Sequence, residues 1–349
     1  MKKLRFISLL LLSACGAGND SDLTTTKATF FQEYGRDFLR PTLIESKASI
    51  GALHTAVETL CADTTNGDKL TAARAAWRAT RSSSKHLELL MFGPAKRTDI
   101  KAKENLDEWP VRPDNIDLSK TTIANIDYKL HVTGLPTIGY LLFQETQGTE
   151  QCTYMTALAL HAKTIAEKLH DAWLIRKDET SPTLAYEIEN PGSGNTTYFY
   201  QQQVLQNIVG SGLNYAANEI SMMKLANAVK VPKQASESEF SGDSTNDLKA
   251  LLHGMSLIFF GKEGSSGGLH TVIAALNTVT ATSIKSNFQA VDSCVTALQG
   301  PIEVEATTDA GKARVQNCLN LATTLTQTIE TGLLGILGLQ ESGVESDND

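Results

Sequence analysis

Residues 70–94 read LTAARAAWRATRSSSKHLELLMFGP. Leu70, Ala73, Trp77, Thr80, Ser84, Leu87 and Met91 recur at intervals of three and four, which places them on one face of an α-helix. Gly93-Pro94 ends the pattern, since glycine loosens the backbone and proline cannot donate the next helical bond. The same period continues on both sides. Leu43, Ile50, Leu53, Val57 and Leu60 form a stripe behind Pro41, a residue suited to a first helical turn or a kink. Met155, Leu158, Ala162, Ile165, Leu169 and Ala172 form another. Val204, Ile208, Ala216 and Ile220 follow, then Ile284, Phe288, Val291, Val295 and Leu298, then Val315, Ala322, Leu325, Ile329 and Ile336. Sustained alternation of apolar and polar residues is scarce, so little strand is expected.

Three breaks punctuate these stripes. Residues 178–196 hold Ser181-Pro182 and Asn190-Pro191-Gly192-Ser193-Gly194, residues 231–246 are rich in Ser, Glu, Gly and Asp, and residues 261–268 are mostly glycine and serine. The first break leaves halves of similar length, each with enough helix for a four-helix bundle. The expected fold is all-α: two four-helix-bundle-like halves, residues 23–180 and 181–340, joined by loops in a layout that would suit a pseudo-repeat.

The N-terminus carries Lys2, Lys3 and Arg5, an apolar run from Phe6 to Leu12, and then Ser13-Ala14-Cys15. A basic head, a short apolar stretch and small residues before a cut make a secretory signal. The run is too short for a bilayer-spanning helix, which needs about 20 residues. Small residues directly before Cys15 resemble the lipobox of bacterial lipoproteins. On this reading residues 1–14 are the signal peptide, Cys15 carries the lipid, residues 15–22 are a tether, and residues 341–349 are an acidic tail. Gly16 follows the acceptor and no aspartate holds the inner-membrane-retention position. That sorting rule implies anchoring in the outer membrane, facing the periplasm.

Loss of residues 1–14 removes three positive charges and takes the formal charge from −8 to −11. A balance so acidic argues against nucleic acid as a partner. Cys61, Cys152, Cys294 and Cys318 remain, an even number for an oxidising compartment. Three pairings exist. Cys61 ends one helix and Cys152 opens another, while Cys294 and Cys318 flank a turn between antiparallel helices, so Cys61–Cys152 and Cys294–Cys318 are favoured. The alternative is four buried free thiols.

Trp77-x3-Arg81-x6-Glu88-x3-Phe92-Gly93-Pro94 is followed by Trp109-Pro110, Ile116-Asp117 and the run Gly134-Leu135-Pro136-Thr137-Ile138-Gly139-Tyr140-Leu141-Leu142-Phe143. In order and spacing these landmarks resemble the imelysin family, also called insulin-cleaving metalloproteases. The resemblance implies a mainly helical fold of two bundle-like halves, an envelope location and, for some relatives, a link to iron uptake. It also implies a metal motif, G-x-H-x-x-E. Here Gly134 matches its glycine, but Pro136 stands in place of the histidine and Gly139 in place of the glutamate. Neither side chain offers a lone pair, and a catalytic zinc needs about three protein ligands and an open position. No H-E-x-x-H occurs, and none of the seven histidines has a glutamate three residues later. No cofactor and no metal ligand set is therefore expected.

Trp77, Arg81, Glu88, Gly134, Pro136, Gly139 and Tyr140 are the residues expected around a binding cleft. Arg81 and Glu88 lie on one side of their helix, with Arg74 and Lys85 close by. They either form a polar site that holds a carboxylate or a metal complex, or an ion network that fixes register. His86, His131 and His253 read as isolated residues rather than ligands. Gly264-Ser265-Ser266-Gly267-Gly268 fits G-x-S-x-G, yet it has no strand before it, as a nucleophile elbow requires. Tyr198, Phe199 and Tyr200 read first as core aromatics and second as a ligand platform. The leading functional expectation is a non-enzymatic binding module in iron acquisition, partnered by the membrane through Cys15 and by an envelope protein or iron-related ligand. The alternatives are a metallopeptidase with ligands outside the motif and a structural adaptor.

Overall fold

The computed structural model describes residues 18–120, 122–126, 131–144, 146–231 and 237–340. The expected signal peptide, Cys15 and the 341–349 tail lie outside the described residues. Among the described residues there is no strand, and no helix is long and apolar enough to cross a membrane.

Helix α1 (Gly18–Glu33) passes through a π-turn at Tyr34–Leu39 into α2 (Arg40–Cys61). Helical order thus begins inside the segment read as tether. Pro41, which cannot donate a helical bond, sits directly after the widened turn. Helix α3 (Gly67–Leu87) starts at Asn66, whose side chain accepts from the backbone N–H groups of Asp68 and Lys69 at 3.0 and 3.2 Å. Such a cap satisfies donors that the first turn leaves free. Helix α4 (Gly134–Phe143) is short and nearly all buried. With α5 (Thr149–Leu174) it completes a layer in which α2 lies along both α3 and α5.

In the second half, α6 spans residues 201–230 and is interrupted by π-turns at Gln206–Asn214 and Glu219–Leu225. Helices α7 (Ser244–Phe260), α8 (Gly268–Leu276), α9 (Thr278–Thr296) and α10 (Asp309–Gln327) follow. Helix α7 packs on α3, α8 on α1, and α9 on α10.

The stripes read from the sequence are the buried faces. Leu53, Val57 and Leu60 are fully covered, as are Ile284, Val291 and Val295. One apolar core runs from Phe30 to Leu337 and draws residues from both sides of the 178–196 break. A second, around Leu53, Val57, Trp77, Leu135, Ile138 and Leu158, belongs to the first half. The disulfides form as paired from the helix reading: Cys61–Cys152 closes the end of the second core, and Cys294–Cys318 joins α9 to α10, with Cα separations of 5.3 and 5.5 Å.

Candidate functional site

The polar face of α3 is where chemistry and packing meet. Trp77, Arg81 and Lys85 recur every four residues, and Glu88 follows three residues later. All four side chains are buried. One helical face therefore carries an indole into an apolar core and charges into a polar one.

At the indole end, Trp77 Nε1 donates to the Leu135 carbonyl at 2.7 Å, in the first turn of α4. Its ring fills the space beside Gly139, where a Cβ would come within 2.5 Å of Trp77 Cζ2. Phe143 meets the same indole edge-on at 5.3 Å, and Tyr140 meets Phe240 in the same manner at 4.8 Å. Pro136 is buried in the first turn of α4. Gly134 adopts φ +75°, and a Cβ there would press on the Leu106 carbonyl at 2.8 Å. The motif positions are thus closed by packing. A glutamate at 139 would have to displace an indole, and a proline at 136 supplies no donor. The family's metal does not fit here.

At the charged end, Arg81 binds Asp107 through Nη1, and Glu237 and Asp247 through Nη2 at 2.8 and 2.7 Å. Lys85 donates to Glu88, Asp107 and Glu237. Lys224 donates to Glu237 and lies 3.6 Å from Glu88 and 3.8 Å from Glu219. Ser238 adds a 2.5 Å bond to Asp247. Three cations face five carboxylates, drawn from α3, the 107 loop, α6, the 237 loop and α7. Glu219 and Lys224 come from a π-turn, the widened helical geometry that often re-aims side chains at functional sites.

Glu88, Asp107 and Glu237 offer oxygens within 4.8 Å of one another, a spacing that could hold a metal ion. Each of the three already accepts from the Lys85 ammonium. An ammonium has three donors, and here each has a carboxylate. The lysine takes the place that a bound cation would take.

The electrostatics separate the three acids. Burial pushes the Glu88 carboxyl up to about 8, and Lys224 and Lys85 only partly offset this. Burial also works against ionised Glu237, but Lys224 and Lys85 outweigh it and hold that carboxyl down at about 2. Asp107 is likewise held well below the usual range: Arg81 and Lys85 overcome its burial, and it hydrogen bonds with Glu88. At neutral pH the cluster therefore holds one protonated acid between ionised ones. Lys224 also stands 5.7 Å from the centre of the Trp109 ring. A small cavity of about 10 Å³ is lined by Glu88, Asp107, Glu219 and Glu237 together with Met91, Lys103, Trp109 and Tyr215.

The structure brings Trp77, Gly139 and Pro136 together on one side and Arg81 and Glu88 on the other. Arg81 sits 5.9 Å from the Trp77 ring centre, so the indole forms a wall between the two. Asp107, Lys224, Glu237 and Asp247 were missed in the sequence. The other motifs resolve simply. Ser265 and Ser266 lie in the loop between α7 and α8, where the Ser266 N–H donates to Glu33 at 2.7 Å, with no strand before them. Tyr198 is buried, while Phe199 and Tyr200 are exposed, so only the first is a core aromatic.

Comparisons with known proteins agree with this architecture. The Imelysin family model matches residues 39–329. A candidate iron-regulated protein A precursor from Parabacteroides distasonis ATCC 8503 superposes with a TM-score of 0.75 at 17% identity, over 93% of this chain and 96% of that one. An imelysin-like protein from Psychrobacter arcticum 273-4 superposes with a TM-score of 0.68 at 17% identity, over 91% and 98%. A comparison with curated proteins finds no match. Since the family pattern spans most of the sequence and its solved relatives share the helical architecture, the chain belongs to the imelysin family.

Proposed function

We propose that this imelysin-family chain is a lipid-anchored, periplasm-facing envelope protein that binds a partner or ligand in iron acquisition and does not hydrolyse peptides. One observation carries the non-catalytic part. The space that a glutamate at the motif position would need is filled by the Trp77 indole, and the three acids nearby are already bonded to the Lys85 ammonium. A hydrolytic metal needs ligands, an open coordination position and a base, and this arrangement leaves none of them free. The iron-related part is supported by family membership and by the iron-regulated name of the Parabacteroides relative. The anchor is supported by the order of basic head, apolar run and Ser13-Ala14-Cys15.

The second reading is a metallopeptidase that uses Glu88, Asp107 and Glu237, favoured by the 4.8 Å grouping of their oxygens. It would require Lys85 to leave. Incubation with insulin and with unfolded peptides, with and without chelator, separates the two readings. The expected result is no cleavage in either condition, together with thermal stabilisation by ferric or ferrous complexes. Chelator-sensitive cleavage that disappears on Glu237→Gln would replace the first reading with the second.

A further inference from the structure

His86 and His253, which read as isolated residues in the sequence, meet at the contact of α3 with α7. His86 Nε2 and His253 Nδ1 lie 3.2 Å apart, with ring centres 5.2 Å apart. Gly254 allows the approach: a Cβ there would fall within 2.8 Å of the His86 ring. The Ala250 backbone also hydrogen bonds to the His86 ring. His253 is exposed and borders a pocket of about 280 Å³ lined also by Lys285, Gln289 and Asp292.

From this geometry we infer that His86 and His253 form a two-imidazole site for a divalent transition-metal ion between the two halves of the protein. Imidazole nitrogens bind zinc at about 2.0–2.1 Å, and two of them at a tetrahedral angle stand about 3.3 Å apart. The observed 3.2 Å separation already matches that spacing. In the metal-free protein one N–H bridges the gap. On metal entry the ring that carries this hydrogen takes its other tautomer, with the hydrogen on the nitrogen that faces away from the pair, so both facing nitrogens offer lone pairs and no proton is lost overall. The pocket beside His253 is also lined by Asp292, a carboxylate on the same side of the pair as the exposed imidazole. Imidazole donors suit zinc, copper, nickel and iron rather than calcium or magnesium.

This site differs from the carboxylate cluster in that no lysine stands between its donors. The test is calorimetric titration of the full chain with Zn²⁺, repeated on His253→Ala, His86→Gln and the distant control His170→Gln. His253→Ala changes an exposed side chain and should fold normally. One Zn²⁺ per chain is expected, with affinity unchanged in the control and weakened by more than about tenfold in each site variant. Absence of binding, or binding unaffected by His253→Ala, overturns the proposal.

Discussion

Two ends of one helical face show two ways of closing a site. At Trp77 the positions that would carry metal ligands are shut by shape: an indole occupies the room beside Gly139, and Pro136 has no donor to offer. Eight residues on, at Lys85, three carboxylates with suitable spacing are closed by charge instead. Closure by shape does not depend on solution conditions. Closure by charge can be undone by removing one ammonium group, and it responds to pH. The indole end is therefore a packed core, and the lysine end a stored electrostatic arrangement.

The largest effect should follow from breaking the charged end. Lys85→Met leaves three buried carboxylates facing only Arg81 and Lys224, and loss of one partner of a buried ion pair costs about 3–5 kcal/mol. Urea unfolding should show that loss. Added Mn²⁺, an ion suited to carboxylate rather than imidazole donors, should recover part of it in the variant and add none in the parent, because the vacated place suits a cation.

The shape-closed end should give a smaller and salt-independent loss. Gly139→Ala puts a methyl within 2.5 Å of the indole, and such overpacking costs about 1–3 kcal/mol. In Trp77→Ala, already destabilised by about 3–5 kcal/mol through the lost indole, the same Gly139→Ala change should cost nothing further. Additive losses in that double-mutant cycle would show that the indole is not what closes position 139.

The two acids beside Lys85 should part company. Glu237→Gln removes a charge that Lys85 and Lys224 need, so it should cost nearly as much as Lys85→Met. Glu88→Gln replaces an acid that is already protonated at neutral pH, and should cost less than about 1 kcal/mol, within the range of a neutral hydrogen-bond exchange.

A pH slope offers a further test. Folded Glu88 titrates near 8, well above an ordinary carboxyl, so between about pH 5 and 8 the folded state holds a proton that the unfolded state has released. The stability from that group is present at the acid end of this window and is lost as pH rises through 8. Glu237, held down at about 2, works in the opposite direction: its contribution is present above the ordinary carboxyl range and is lost as pH falls toward 2. Melting temperatures recorded from pH 5 to 8 should fall more in the parent than in Glu88→Gln.

Much of the fold could be read from periodicity, since Leu53, Val57, Leu60 and Trp77 are buried where their spacing places them. The cysteine pairing could be read because each cysteine sits at a helix end or on a helix flanking a turn. The loss of donors at Pro136 and Gly139 could be read from residue type alone, but what fills the space could not. Trp77 is 62 residues from Gly139, and nothing local links them. The charged cluster was hidden for a related reason. Arg81 meets Glu237 and Asp247 from across the chain, and Glu237 belongs to a Ser- and Glu-rich stretch that looks like a solvated loop. A buried acid and an exposed one are the same letter, and only the folded neighbours of Arg81 tell a ligand site from an ion network.

The claim that a lysine stands where a cation would bind is tested most directly by an anomalous-difference map of the protein crystallised with Zn²⁺. No peak is expected among Glu88, Asp107 and Glu237, with the Lys85 ammonium in density between them. A zinc peak coordinated by those three carboxylates, with Lys85 swung aside, would contradict it.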